Sequence, residues 1–258
     1  MSVMDLFSLK GKTAIVTGGG RGLGVQIARG FAEAGANVVL CSRKVAACKE
    51  MSEELKTFGV RAIGLACDVT NPDDVKNIVL ETVKQFGSID ILVNNSGASW
   101  GAPAVEMPYE AWQKVMDVNV NGTFLMSQAV GKVMIEQKSG KIINISSVAG
   151  VAGTHPDFMD TVGYNTSKGA VITLTKDLAA KWGMHNINVN AIAPGFFPTK
   201  MSSVLIERGM DYIMDATPLQ RLGSDEDLKG VALFLASKAS DYVTGDVVMV
   251  DGGMSAVI

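Results

Sequence analysis

Histidine and cysteine are scarce. The 258 residues hold two histidines, His155 and His185, and three cysteines, Cys41, Cys48 and Cys67. No CxxC pair or Cys/His ligand spacing occurs, which excludes a zinc site and a disulfide framework. No metal is expected. Charge of one sign is also lacking: 23 basic against 26 acidic residues gives a net charge of −3, with no basic block. Nucleic acid is therefore excluded as a partner. No stretch approaches 18 apolar residues, so no membrane span is expected. The opening MSVMDLFSLKGK carries Asp5 early and no apolar core before a cleavage site, unlike a signal peptide. A cytoplasmic protein is expected. No Pro/Ser-rich linker, repeat or shift in composition divides the chain, and residues 1–258 read as a single domain.

Apolar residues are plentiful, at 47%, with 19% charged, a balance that fits a globular core. Glycine is enriched, 28 in 258, or roughly 11% against a usual value near 7%. The glycines have no G-X-Y period, so they point to sites where the backbone itself matters. Short β-branched runs recur at 13–17, 38–40, 61–65, 91–93, 142–145, 187–192 and 247–250. Most are continuously apolar, as strands buried on both faces of a parallel sheet must be. Helical periodicity fills residues 24–34, 45–58, 73–86, 109–137, 164–182 and 225–236. The alternation predicts a doubly wound α/β fold of the Rossmann type, with about seven parallel strands and helices on both faces.

The first strand runs into Thr17-Gly18-Gly19-Gly20-Arg21-Gly22-Leu23-Gly24, and a helix follows. Glycines there let the chain turn sharply and bring backbone N–H groups and the helix N-terminus close to a pyrophosphate. A glycine string alone is weak evidence; in the first strand–turn–helix unit it has the context the motif requires. A site for NAD offers Asp or Glu about 20 residues further on. Here the second strand ends Ser42-Arg43-Lys44, without a carboxylate. Arg43, with Arg21 nearby, suits the 2′-phosphate of NADP(H) through charge-assisted hydrogen bonds. NAD(H) is the alternative cofactor.

Tyr164 and Lys168 stand four apart on a helix and so share a face. A phenol titrating near pH 10 is a poor base at neutral pH; a cation within a few ångströms favours phenolate. The pair predicts a proton relay with a lowered tyrosine pKa. Ser146 and Ser147 compete as a carbonyl-orienting hydroxyl, and strand alternation sends them to opposite faces.

The glycine loop, Asn94-Asn95-Ser96-Gly97, Tyr164-x-x-x-Lys168 after Asn-Ile-Ser-Ser, and Pro194-Gly195-Phe196-Phe197-Pro198-Thr199 occur in the order of the short-chain dehydrogenase/reductase family. The chain resembles that family from Lys10 to Gly253, departing at Ser96, where alanine is common. The resemblance implies an oxidoreductase that interconverts a ketone and a secondary alcohol, with Asn119, Ser147, Tyr164 and Lys168 as its catalytic set. It selects Ser147 over Ser146 and Asn119 over Asn121, and gives Asn119 a water linking the lysine to solvent. Cofactor contacts are implied at Gly18, Arg21, Gly22, Leu23, Gly24, Ser42 and Arg43. Asp68 and Val69 are implied at the adenine, Asn95 and Gly97 on the adenosine side. Pro194, Gly195, Phe197 and Thr199 are implied near the nicotinamide, whose ribose Tyr164 and Lys168 also approach.

Seventeen positions separate Ser147 from Tyr164, a few more than usual in the family, and the extra residues around 155–159 are expected to enlarge the pocket rim. His155 is expected in solvent rather than on the substrate. Residues 196–215 read as an apolar lid, suited to a ketone that includes a β-ketoacyl thioester. Ala98-Ser99-Trp100-Gly101-Ala102-Pro103 resembles both 3-oxoacyl thioester reductases and gluconate 5-dehydrogenase-like members, so a sugar-acid oxidoreductase is the alternative. An idle dinucleotide-binding regulator is less consistent with the full catalytic set, and an extended epimerase or dehydratase needs a substrate domain for which the chain has no room. Relatives pair helices like 109–137 and 164–185 across subunits, and the tail 254–258 is apolar. A homotetramer is expected, with a dimer as the alternative.

Overall fold

The computed structural model describes residues 2–155 and 158–257. Among them, seven strands form one parallel sheet: β1 (Thr13–Thr17), β2 (Asn37–Ser42), β3 (Ala62–Ala66), β4 (Ile91–Asn94), β5 (Gly140–Ile145), β6 (Ile187–Pro194) and β7 (Val247–Val250). Their order is β3-β2-β1-β4-β5-β6-β7. The order reverses between β1 and β4, leaving a crevice beyond the carboxyl ends of these two strands. β1, β4 and β6 are buried along their whole length, which explains their unbroken apolar or amide-rich sequence.

Successive side chains divide between two cores. Ala14, Val16, Val38 and Leu40 face one side, with Ile27 and Phe31 of α2 (Leu23–Glu33), Leu55 of α3 (Val45–Lys56) and Ala232 and Leu235 of α9 (Lys229–Ala236). Ile15, Val39 and Leu92 face the other. There they meet Val75 and Ile78 of α4 (Pro72–Phe86), Met126, Val130 and Met134 of α6 (Gly122–Gln137) and Leu178 of α7 (Val162–Trp182). Helices cover both faces. Capping is explicit at α4, where the Asn71 side chain accepts from the N–H groups of Asp73 and Asp74; such a cap contributes about 1 kcal/mol. No helix of the described residues is long and apolar enough to cross a membrane.

Three departures from the periodicity have local causes. A single turn, α1 (Val3–Leu6), precedes β1, held by a reciprocal Ser2–Asp5 capping box. Residues 109–137 are not one regular helix: α5 (Tyr109–Met116) and α6 are joined through a π-helical turn at Asp117–Asn121. The last predicted helix begins at Lys229 rather than 225. Asp227 accepts hydrogen bonds from the Ser224 N–H and hydroxyl and from Arg221, which fixes a turn before it. Residues 196–215 carry α8 (Ser203–Ala216), whose Ile206 and Ile213 are buried.

Candidate active site

β5 ends at the two serines, and α7 crosses beside them. Ser146 turns inward: its hydroxyl donates to the Lys168 carbonyl at 2.9 Å, and its N–H donates to the Ile192 carbonyl. Ser147 turns the other way, toward Tyr164, and its oxygen accepts from the Ala149 N–H at 3.2 Å. The alternation expected of an extended strand end separates the two hydroxyls.

Lys168 is only 5% exposed. Its Nζ donates to the Ile145 carbonyl at 2.7 Å, and burial lowers its pKa to about 8. It stands 5.5 Å from the centre of the Tyr164 ring. The expected depression of the tyrosine is not found. Desolvation raises the Tyr164 pKa above its ordinary value, and the Ser147 hydroxyl opposes this without overcoming it. The physical reason is placement: the ammonium is spent on a carbonyl and faces the ring, not the phenol oxygen.

Asn119 lies in the π-helical turn and is 1% exposed. Its Oδ1 accepts from the Ala98 N–H at 2.7 Å, and its Nδ2 donates to the Ala98 carbonyl and to Ser167 Oγ. Ser167 in turn donates to the Tyr164 carbonyl at 2.7 Å. A buried amide without partners is costly; this one is used to pin the 98 loop to the helix that carries Tyr164 and Lys168. Asn121 is exposed and donates to Asp117. Ser167 and the Ile145 carbonyl were not singled out by motif, because their roles are set by which carbonyl or amide the fold brings opposite.

The glycine loop is held open by its neighbours. Gly18 and Gly22 have φ of +65° and +58°, conformations that favour glycine. A Cβ on Gly24 would lie 2.7 Å from the Gly18 carbonyl oxygen. Asn95 donates its Nδ2 to the carbonyls of Thr17 and Gly18, and the Thr17 hydroxyl accepts from the N–H groups of Asn95 and Ser96. Asn95 is thus a strut of the loop. The α2 cap, Gly22, gives no side-chain hydrogen bond, and while the Val25 and Gln26 N–H groups donate to the Gly22 carbonyl, those of Leu23 and Gly24 at the helix start suit an anion. Arg21 is exposed on the loop. This cradle fits a dinucleotide pyrophosphate.

Arg43 is exposed at the end of β2 and acts electrostatically on Asp68. Burial raises the Asp68 carboxyl pKa, but hydrogen bonds from Thr70 and the Arg43 charge outweigh it and lower the pKa overall. Both residues line a cleft of about 500 Å³ with Thr70, Lys114 and Val118, room enough for an adenosine. The Ser42 hydroxyl donates to the Lys44 carbonyl. Val69 is buried, and a Cβ on Gly122 would lie 2.6 Å from its Cγ2, so its side chain packs on the start of α6. Gly97 lies beside the catalytic cluster: a Cβ there would be 3.5 Å from Asn119 Oδ1 and 3.9 Å from Lys168 Nζ.

Beyond β6, Gly195 donates its N–H to the Val250 carbonyl, and the Thr199 side chain lies over the glycine loop, 3.4 Å from where a Gly22 Cβ would stand. Pro194 closes β6 and is buried. The Phe197 ring is 4% exposed and packs in the core against Gly223. A separate cavity of about 440 Å³ lies behind the lid, between Phe196, Ile213, Pro218 and the Met249–Gly253 turn, and none of the four catalytic candidates lines it. His155 is exposed. Pro156 and Asp157 of the expected rim, and Ile258 of the apolar tail, lie outside the described residues.

A sheet of this order with a glycine cradle and a Ser-Tyr-Lys cluster at its carboxyl edge defines a dinucleotide-dependent oxidoreductase. The family model described as enoyl-(acyl carrier protein) reductase matches residues 18–255. The chain is 41% identical over 257 residues to gluconate 5-dehydrogenase of Gluconobacter oxydans, covering 99% of both. It is 38% identical over 247 residues to the 3-oxoacyl-(acyl-carrier-protein) reductase of Aquifex aeolicus, covering 95% of this chain and 98% of the other. The crystal structure of a gluconate 5-dehydrogenase from Burkholderia cenocepacia, in complex with NADP and tartrate, matches at a TM-score of 0.94 and 37% identity, with 100% of each chain covered. The protein belongs to the short-chain dehydrogenase/reductase family and is an oxidoreductase.

Proposed function

We propose that this enzyme uses NADP(H) to interconvert a keto-sugar acid and its secondary alcohol, in the manner of a gluconate 5-dehydrogenase. The observation that carries the reaction class is the convergence of Ser147, Tyr164 and Lys168 beside a glycine cradle with an uncapped helix N-terminus. The pyrophosphate is held by Gly18, Gly22, Leu23 and Gly24, the adenosine by the Arg43–Asp68 cleft. Arg43, Ser42 and Arg21 favour a 2′-phosphate because no carboxylate ends β2. A nicotinamide bound there supplies or accepts the hydride. Tyr164, its pKa raised, keeps its proton at neutral pH and donates it to the ketone oxygen, while the Ser147 hydroxyl hydrogen-bonds to that oxygen. Lys168 supplies a positive charge behind the tyrosine, and Asn119 fixes the helix on which both stand.

The sugar-acid reading is better supported than a β-ketoacyl thioester, reversing the order of the sequence-based expectation. The gluconate relative has the higher identity and coverage. The apolar lid argument also weakens: Met201, Val204, Met210 and Tyr212 are exposed, and only Ile206 and Ile213 of α8 are buried. The deciding assay follows NADPH consumption with 5-keto-D-gluconate and with a short 3-oxoacyl thioester. Turnover is expected with the keto acid, and Tyr164→Phe should reduce it by about a hundredfold or more while NADPH still binds. Turnover of the thioester alone overturns the substrate; full activity of Tyr164→Phe overturns the relay. Three free, buried cysteines fit a reducing compartment, the cytoplasm. For the assembly we infer a homotetramer.

A further inference from the structure

Phe158 reaches across to α8, its ring 4.3 Å from Tyr212 at 30° and 5.4 Å from Phe196 edge-on, centre to centre. The ring fills a notch. α8 is kinked at Gly209, where φ is −117° and ψ 20°. A Cβ on Gly209 would lie 2.8 Å from Phe158 Cδ2 and closer still to Cε2. Gly209 stands on the inward stripe of the helix, between the buried Ile206 and Ile213.

The other end of this contact is anchored to the catalytic helix. Met159, the next residue, is buried, and its carbonyl accepts from the Thr154 hydroxyl at 2.8 Å. Asn165 donates to Thr154 Oγ1 and accepts from the Thr161 hydroxyl, while the Asp160 carbonyl accepts from the Ala102 N–H. Asn165 directly follows Tyr164. The ring therefore joins α8 to the first turn of α7 through a chain of polar contacts that ends at Asn165, the residue after Tyr164.

We propose that Phe158 is a positioning residue, a clasp whose ring seats in the Gly209 notch and holds α8 down over the cleft in register with Tyr164. Apart from Ile206 and Ile213, α8 buries little of itself, so the ring's contact with Tyr212 on the helix and with Phe196 in the segment leading into it is a large share of what retains it. Aromatic pairs of this kind, lost together, correspond to about a tenfold change in an opening equilibrium.

The test is a double-mutant cycle read by hydrogen exchange of the α8 amides in the NADPH-loaded protein. Phe158→Ala should speed that exchange about tenfold. Gly209→Ala should do the same in the wild type, because its Cβ evicts the ring. In the Phe158→Ala background it should slow exchange or leave it unchanged, since alanine favours helix over glycine. In assays with 5-keto-D-gluconate, Phe158→Ala should raise KM with kcat and NADPH affinity little changed. Unchanged α8 exchange in Phe158→Ala, or an equal effect of Gly209→Ala in both backgrounds, overturns the clasp. The kinetic arm rests on the sugar-acid reading; the exchange arm does not, so absence of turnover with that substrate leaves the clasp to be decided by exchange.

Discussion

Arg43 and Lys168 differ in the way their surroundings treat a charge. Arg43 is exposed, with Asp68 as its electrostatic neighbour, and we propose that its donors serve the cofactor phosphate. A charged hydrogen bond is worth roughly 1.5–3 kcal/mol, and 1.4 kcal/mol is about tenfold in binding. Arg43→Ala should thus weaken NADP(H) about ten- to a hundredfold in kcat/KM and change NAD(H) little; Ser42→Asp should shift the preference further toward NAD(H). Equal losses for both cofactors would remove the arginine from phosphate recognition. Lys168 is the reverse case, a buried ammonium held near 8. An unfolded lysine titrates near 10.4, so between those values the unfolded chain binds more protons. Stability therefore rises with pH across that window and is flat below it. Lys168→Met should abolish the rise and be more stable at pH 7 by at most about 3 kcal/mol. Urea unfolding at pH 7 and 9.5 reads this below the range where Tyr164, shifted upward, works in the opposite sense.

At the scale of the element, the end of β5 determines which serine does what. Ser146 is 2% exposed and its hydroxyl satisfies the Lys168 carbonyl. Ser146→Ala should remove this second hydrogen bond to a carbonyl already paired within α7, cost about 0.5–1.5 kcal/mol of stability and spare most of the activity. Ser147→Ala should leave stability nearly intact and reduce kcat about a hundredfold or more, the usual effect of losing a donor to a reacting oxygen. Melting temperature and kcat for both variants separate the roles, and the opposite pattern would reassign them. Strand alternation made this distinction legible in the sequence. The π-helical turn at Asp117–Asn121 was not legible, because an apolar period of 3.6 runs through residues 109–137 and one extra residue in a turn leaves that period almost unmarked. Its consequence is the inward placement of Asn119.

The whole molecule leaves apolar surface that a single copy does not cover. β7, Val247-Val248-Met249-Val250, is an edge strand whose four residues are all only half-buried. Phe124 of α6 is 43% exposed. An open apolar edge strand invites pairing with another chain, and we infer that β7 and the α6–α7 side each meet a second copy, which makes a tetramer. Sedimentation at micromolar concentration should give about four times the 27.2 kDa of one chain. A stable, active monomer would contradict it.

The sequence by itself determined the sheet, the glycine cradle and the identity of the catalytic candidates. Continuous β-branched runs have no other home than a doubly covered sheet, and glycines with φ near +60° at Gly18 and Gly22 tolerate no substitute easily. Spacing along one helix put Tyr164 and Lys168 together, since i and i+4 are neighbours whatever surrounds them. Only the tertiary structure decided the electrostatics and the long-range contacts. Whether the lysine meets the phenol oxygen or the Ile145 carbonyl depends on how α7 lies across β5, and that angle is written in packing, not in the motif. That Gly97 stands by Asn119 and that the Phe197 ring lies in the core have the same cause: a residue's neighbours in a loop are set by the strands on either side. The seating of Phe158 against Gly209, 51 positions away in the chain, has no local signal at all, because it needs a loop after β5 and the helix after β6 to be brought face to face.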